Sequence, residues 1–265
     1  AMEYAATFDL PVVLRSEDHA LKANGCVHEG PVSARLGLPG IPAAAETVAV
    51  ARDLALAEHS GARIHFHGPS TAGAAKLVRA ARGHNAPVSA GVAIHQLFLL
   101  ESDVDDFTIS CHVDPPFRSL ADREALRNAV ADATFGAICS DHQPHDPNLR
   151  ELPVPQTTPG ISGLETLLPL TLKLVHEGIL DLPSAIHRLT AGPADILGLP
   201  AGRLSAGASA DICIFDPASI WTLDREQMLS AGKNTPFHNW ELTGQVNYTI
   251  FEGHITYERQ QSSRD

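Results

Sequence analysis

The sequence predicts an α/β chain of parallel βα units followed by the strands of a small β-domain. Three observations carry this expectation. Short runs of β-forming residues at 10–14, 62–67, 88–94 and 135–139 alternate with Ala- and Leu-rich stretches whose apolar residues recur every three or four positions. The run at 135–139 shows no polar alternation, as expected of a strand buried on both faces of a parallel sheet. From residue 202 the pattern changes to Gly-punctuated alternating β-formers, the signature of strands in an antiparallel unit.

Taken in order, residues 1–8 read as the end of a helix, and 10–14 as a short strand that runs into Arg15, Ser16, Glu17, Asp18 and His19. Residues 38–42 (LPGIP) are expected to turn, and 43–59 form a helix on propensity and apolar spacing. A strand at 62–67 leads through Gly68, Pro69, Ser70 and Thr71 into a helix at 72–82. A strand at 88–94 follows, then a short one expected at 107–113, before Pro115, Pro116, Phe117 and Arg118. Residues 120–131 are helical, with Asp122 and Glu124 near the positive end of the helix dipole. Residues 164–176 are helical despite Pro169, which is expected to kink the first turns. Two short helices at 183–189 and 193–197 begin on prolines, where no amide bond is lost. The expected division is 1–200 for the βα units, 201–259 for the β-domain strands and 260–265 for a frayed tail.

Composition narrows the function classes. The 265 residues carry a net charge of −12 with scattered Lys and Arg, which argues against nucleic acid and against an anionic membrane surface. No apolar run approaches the roughly 18 residues that span a bilayer. Cys26, Cys111, Cys139 and Cys213 are widely spaced with no CxxC pair, so reduced thiols in a cytoplasmic protein are expected and a structural zinc site is not.

The chemistry concentrates after the strand at 135–139, where Asp141, His142, His145 and Asp146 surround Gln143 and Pro144. Polar residues at the carboxyl end of a parallel strand face the active site of an α/β barrel. A carboxylate there can bind a divalent metal or act as general base. The SDHQPH run at 140–145 resembles the TDHAPH signature of dihydroorotase, and PGISGLETLLPL at 159–170 resembles the same family's downstream PGxxGLET segment. GRLSAGASADICIFDP at 202–217 and NTPFHNWELTGQV at 234–246 resemble the β-domain motifs of the cyclic amidohydrolase superfamily. The resemblance implies a (β/α)8 TIM-barrel amidohydrolase fold, here its C-terminal half, with strands of a small β-domain. It also implies that Asp141 binds metal and acts as general base, and that His145 with the loop at Pro159 and Gly160 holds the substrate's carboxylate.

The remaining ligands of that family are replaced. Its fifth-strand His opens an H-x-E-D motif, and RSED at 15–18 puts Arg15 in that position. A guanidinium offers no lone pair to a metal and repels it. The sixth-strand His stands directly before a hydrophobe-Ser-Thr, a position held by Gly68. His67 is one residue upstream, and strand alternation is expected to turn it to the other face. It shares a face with His65, and an i, i+2 pair can ligate a metal. The first-strand HxH pair and the fourth-strand ligand fall before residue 1 on this alignment. HVDPPFR at 112–118 matches a KxNPPLR pattern whose substrate-contacting Asn is Asp114 here, a second carboxylate that disfavours an anion. The loop after His145 lacks a Lys that many relatives carry.

Two functions follow from these replacements. One is a degenerate, non-catalytic dihydroorotase homologue of pyrimidine biosynthesis, holding no cofactor and acting as a structural partner of aspartate transcarbamoylase. The other is an active zinc-dependent dihydroorotase, acting on dihydroorotate and N-carbamoyl-aspartate, seen as a fragment. A related amidohydrolase with another cyclic amide is a third expectation. Half a parallel barrel leaves strand edges open, so an oligomer, a partner or preceding residues are expected to cover them.

Overall fold

The computed structural model describes residues 1–84, 86–146 and 152–260. In chain order the elements are α1 (Met2–Thr7), β1 (Val12–Leu14), α2 (His19–Lys22), β2 (Val27–His28), α3 (Pro31–Leu36), β3 (Gly40–Ile41), α4 (Ala43–Ser60), β4 (Ile64–His67), α5 (Ala72–Gly83) and β5 (Val88–Ala93). They continue with α6 (Leu120–Ala131), β6 (Ala137–Cys139), α7 (Leu164–His176), α8 (Leu182–Leu189), α9 (Ala191–Leu197), β7 (Ile212–Thr222), β8 (Glu241–Phe251) and β9 (His254–Glu258).

β1, β4, β5 and β6 form a parallel four-stranded sheet in that order, each strand pairing with the next of the four in the chain. This is the serial βα winding of a barrel wall. One face of the sheet presents Ile64, Phe66, Ala90, Val92 and Ile138, all buried against Val50 of α4, Val78 of α5 and Leu126 and Val130 of α6. The other face carries the register row Val13, His65 and Ser89, in which Val13 is 51% exposed. On that face His65 is nonetheless buried, at 7% exposure.

β7, β8 and β9 form a separate antiparallel sheet, as the alternating pattern predicts. β8 packs on α7, where Gly244 lies so close to Leu172 that no Cβ would fit, and the Trp221 indole N–H of β7 donates to the Gly244 carbonyl (2.9 Å). Leu223, Met228, Phe237 and Leu242 join the same apolar core as the parallel sheet.

Two local expectations need correction. Residues 107–113 are not a strand: 3-10 turns span Glu101–Phe107 and Ile109–Cys111. Asp106 and Phe107 both have positive φ, which extended pairing cannot tolerate. Residues 38–42 do more than turn, because Gly40–Ile41 pairs in parallel with Val27–His28. Pro169 lies inside α7, which continues through it to His176. No helix among the described residues is long and apolar enough to cross a membrane. Of the expected tail, residues 261–265 lie outside the described residues, as does 147–151 of the loop after His145.

Candidate functional site at the carboxyl edge of the parallel sheet

Arg15, Gly68, His95 and Asp141 each follow the end of a parallel strand, so the fold gathers them at one edge. The RSED run is held by three separate anchors. Ser16 Oγ donates to the Asp53 carboxylate on α4 (2.7 Å). Glu17 accepts from Lys22 (2.9 Å), and Asp18 caps α2 by accepting from the Ala20 and Leu21 amides (both 3.0 Å). These anchors leave Arg15 directed to the strand ends, its side chain 42% exposed and its Nη2 3.7 Å from Asp114. Asp114 itself is paired with Lys22 at 2.6 Å, so its charge does not stand alone before an incoming anion.

Gly68 takes φ +70° and leads into the N-terminus of α5. There the buried Glu46 carboxylate accepts from the amides and hydroxyls of both Ser70 and Thr71. Arg118, buried, donates to Ser70 Oγ (3.1 Å) and to the Ile41 carbonyl (2.7 Å). His67 lines a small cavity with Arg15, Glu17, Gly68 and Arg118, and its register beside Gly91 keeps it on the same sheet face as His65.

Asp141 also has positive φ (43°), and its carboxylate accepts from the Gln143 side-chain amide at 3.1 Å. Sequence reasoning missed His95, which lies between Asp141 and Arg15 electrostatically. Burial pushes its imidazole down to about 4; Asp141 pulls upward and Arg15 pushes down. Its ring packs edge-on to Phe117, and Nδ1 is buried without a partner. The available signal was a polar residue closing the apolar run VSAGVAI. Burial, with the Asp141 charge, also pushes the Cys139 thiol up to about 11.

The loop donors are already engaged. His145 Nε2 lies 2.9 Å from the Pro159 carbonyl, which can only accept, so that nitrogen carries the proton and donates it. The Gly160 amide donates to the His112 carbonyl (2.9 Å). Asn234, from the β-domain side, ties the loops together: it accepts from the His145 amide and donates to the Gln143 and Gly160 carbonyls, all at 2.9 Å. His142 Nδ1 accepts from the Gly163 amide (3.1 Å) at the start of α7.

The described residues do not by themselves assemble a zinc centre. Among the described residues no three His, Cys, Asp or Glu side chains converge as a metal would require, and Arg15 and Gly68 supply no ligand atom.

A parallel βα wall with acid and base groups at its carboxyl edge and a β-sheet packed beside it defines the class. The chain belongs to the amidohydrolase family, whose model matches residues 28–256. Within it the chain is 49% identical over 258 residues to a dihydroorotase-like protein of Pseudomonas aeruginosa, covering 97% of this chain and 61% of that protein. It is 46% identical to a dihydroorotase of Syntrophotalea carbinolica, covering 97% of this chain and 60% of the relative. The chain thus spans about three fifths of the curated relatives it matches. The dihydropyrimidinase structure from Brevibacillus agri shares the fold, with a TM-score of 0.88 at 21% identity over 99% of this chain and 60% of that one. The L-hydantoinase of Arthrobacter aurescens does so at a TM-score of 0.86 and 24% identity, over 98% of this chain and 60% of that one.

Proposed function

We propose that the protein is a dihydroorotase-like amidohydrolase that has lost hydrolysis and serves pyrimidine biosynthesis as a structural partner of aspartate transcarbamoylase. The carrying observation is Arg15. It occupies the position from which the resembling motif supplies an imidazole, and its charge acts on His95 against that of Asp141. A cation there opposes a second cation electrostatically. Gly68 offers no side chain at the companion position. The His145 and Gly160 donors, which the resemblance assigns to a substrate carboxylate, are spent on the Pro159 and His112 carbonyls. What remains well built is scaffold: Ser16 on Asp53, Glu46 on Ser70 and Thr71, and Asn234 across the loops.

The test is metal analysis and dihydroorotate turnover on the full-length protein, paired with native co-purification against aspartate transcarbamoylase. Absence of stoichiometric zinc and of turnover, with the transcarbamoylase retained, is the expected result. Stoichiometric zinc with turnover overturns the loss of catalysis, and a transcarbamoylase that never co-purifies removes that partner.

The second reading is an active zinc-dependent dihydroorotase. It is favoured by Asp141 at its strand end and by the name of the Syntrophotalea carbinolica relative. On this reading Asp141 is the general base of cyclic amide hydrolysis, and Asp141→Asn abolishes a turnover that the parent protein displays.

A further inference from the structure

At the opposite, N-terminal end of the parallel sheet lies a cavity of about 470 Å3 whose wall includes Arg63, His65, Pro87, Ser89, Arg82 and Asp195. The chain as a whole carries a net charge of −12, yet this end gathers guanidinium groups. Arg63 donates through Nη2 to the Asp9 carbonyl (3.0 Å), while its Nε is buried with no partner. Among the described residues Arg82 is hydrogen-bonded through Nη1 alone, to the Ala133 and Thr134 carbonyls. Arg188, 8% exposed, stands close enough to Arg82 for the two charges to repel, and its Nε is likewise buried and unpartnered.

The nearby carboxylates do not balance this charge. Asp132 is paired with Arg79 at 2.7 Å, and Asp195 receives Arg203 on both oxygens at 2.8 and 2.7 Å. His65 is held neutral, because burial and the neighbouring His67 push it down to about 4; its Nδ1 lies 2.9 Å from Ser89 Oγ. Two guanidinium groups in one wall, beside Ser89 and an apolar ledge that includes Pro87 and Val88, suit an oxyanion attached to a small organic group.

We propose that this cavity binds a small molecule bearing a phosphate or carboxylate group, gripped between the guanidinium groups of Arg63 and Arg82. The site is separate from the Arg15–Asp141 edge, so it stands whether or not the protein hydrolyses an amide.

Calorimetric titration of the full-length protein with inorganic phosphate and with acetate, against chloride at matched ionic strength, tests it. One-to-one saturable binding of either probe is expected; the probe that binds identifies the anion class. Arg63→Met and Arg82→Met should each weaken it about tenfold, the loss of a charge-assisted hydrogen bond. Arg82 also braces the turn after α6, so its variant carries a risk of misfolding. Asp195→Asn, which removes a negative wall charge without touching the donors, should tighten binding about threefold. No binding of either probe beyond chloride overturns the site. So does binding that Arg63→Met and Asp195→Asn leave unchanged.

Discussion

The Lys22 ammonium lies 2.6 Å from the Asp114 carboxylate and 2.9 Å from Glu17, bridging the RSED run to the Asp114–Pro115 loop. From sequence, Asp114 is a bare second carboxylate that would repel an anion. In the fold it is neutralised by a lysine 92 positions away, with Arg15 at 3.7 Å on its other oxygen. Burial disfavours the Lys22 charge, but the hydrogen bonds to Asp114 and Glu17 outweigh it, and the ammonium is held above its usual 10.5.

Lys22→Met should therefore destabilise the protein by about 1–3 kcal/mol, since it strands a half-buried carboxylate. Adding Asp114→Asn should recover part of the loss, and a double-mutant cycle in urea measures the coupling. A folded-state value raised above the unfolded one contributes stability below pH 10.5 that is lost as pH rises through the higher folded value. The gap between parent and Lys22→Met should thus hold steady at neutral pH and close only on the alkaline side.

Glu46 is the acceptor that seats the start of α5 beneath Gly68. Its oxygens receive Ser70 Oγ at 2.6 Å and Thr71 Oγ1 at 2.7 Å in addition to both amides. Glu46→Gln replaces one acceptor oxygen with an amide donor aimed at other donors. A loss of about 2–4 kcal/mol in chemical denaturation is expected. A variant as stable as the parent would mean that Ser70 and Thr71 find other acceptors.

The half-barrel winding was legible because each strand and helix is fixed by local pattern, and serial βα units leave few topologies open. The strand end that carries Asp141 was also legible, since the apolar run of β6 stops there at a polar cluster. What sequence could not give are contacts made across the fold: Lys22 on Asp114, Asn234 on the 143 and 160 carbonyls, His95 edge-on to Phe117. The strand expected at 107–113 failed for a local reason, the left-handed backbone at Asp106 and Phe107, which those residue types do not announce.

His112 supplies a pH dependence on the acid side. Its Nδ1 lies 2.6 Å from Thr157 Oγ1, and that hydroxyl donates to the Val154 carbonyl, so Nδ1 carries the proton. Burial first pushes the imidazole below its usual 6.5, partly offset by Asp114. A lowered folded value gives stability that is present above pH 6.5 and lost as pH falls through the folded value. His112→Asn keeps a donor near Thr157 but cannot titrate. Its urea midpoint should fall less steeply than the parent's between neutral and mildly acidic pH, and parallel slopes would exclude His112 as a source.

Gly160 is the tightest point of the loop assembly. With φ at +150°, a Cβ there would stand 2.5 Å from Gln143 Cβ and 2.7 Å from His145 Nε2. Neither contact can yield cheaply, because Gln143 N–H is bonded to the Ile161 carbonyl (2.8 Å) and His145 N–H to Asn234 (2.9 Å). Gly160→Ala should cost about 3 kcal/mol or more, combining backbone strain with overpacking. Gly178→Ala, also at positive φ (+74°) but with nothing within 4 Å, should cost only about 1 kcal/mol. Hydrogen exchange adds a readout beyond stability: the Gln143 and Ser162 amides, which bond Ile161 and Asn234, should lose protection in Gly160→Ala and keep it in Gly178→Ala. Equal costs and unchanged protection would mean that the loop is not locked against the β-domain side in the way these contacts require.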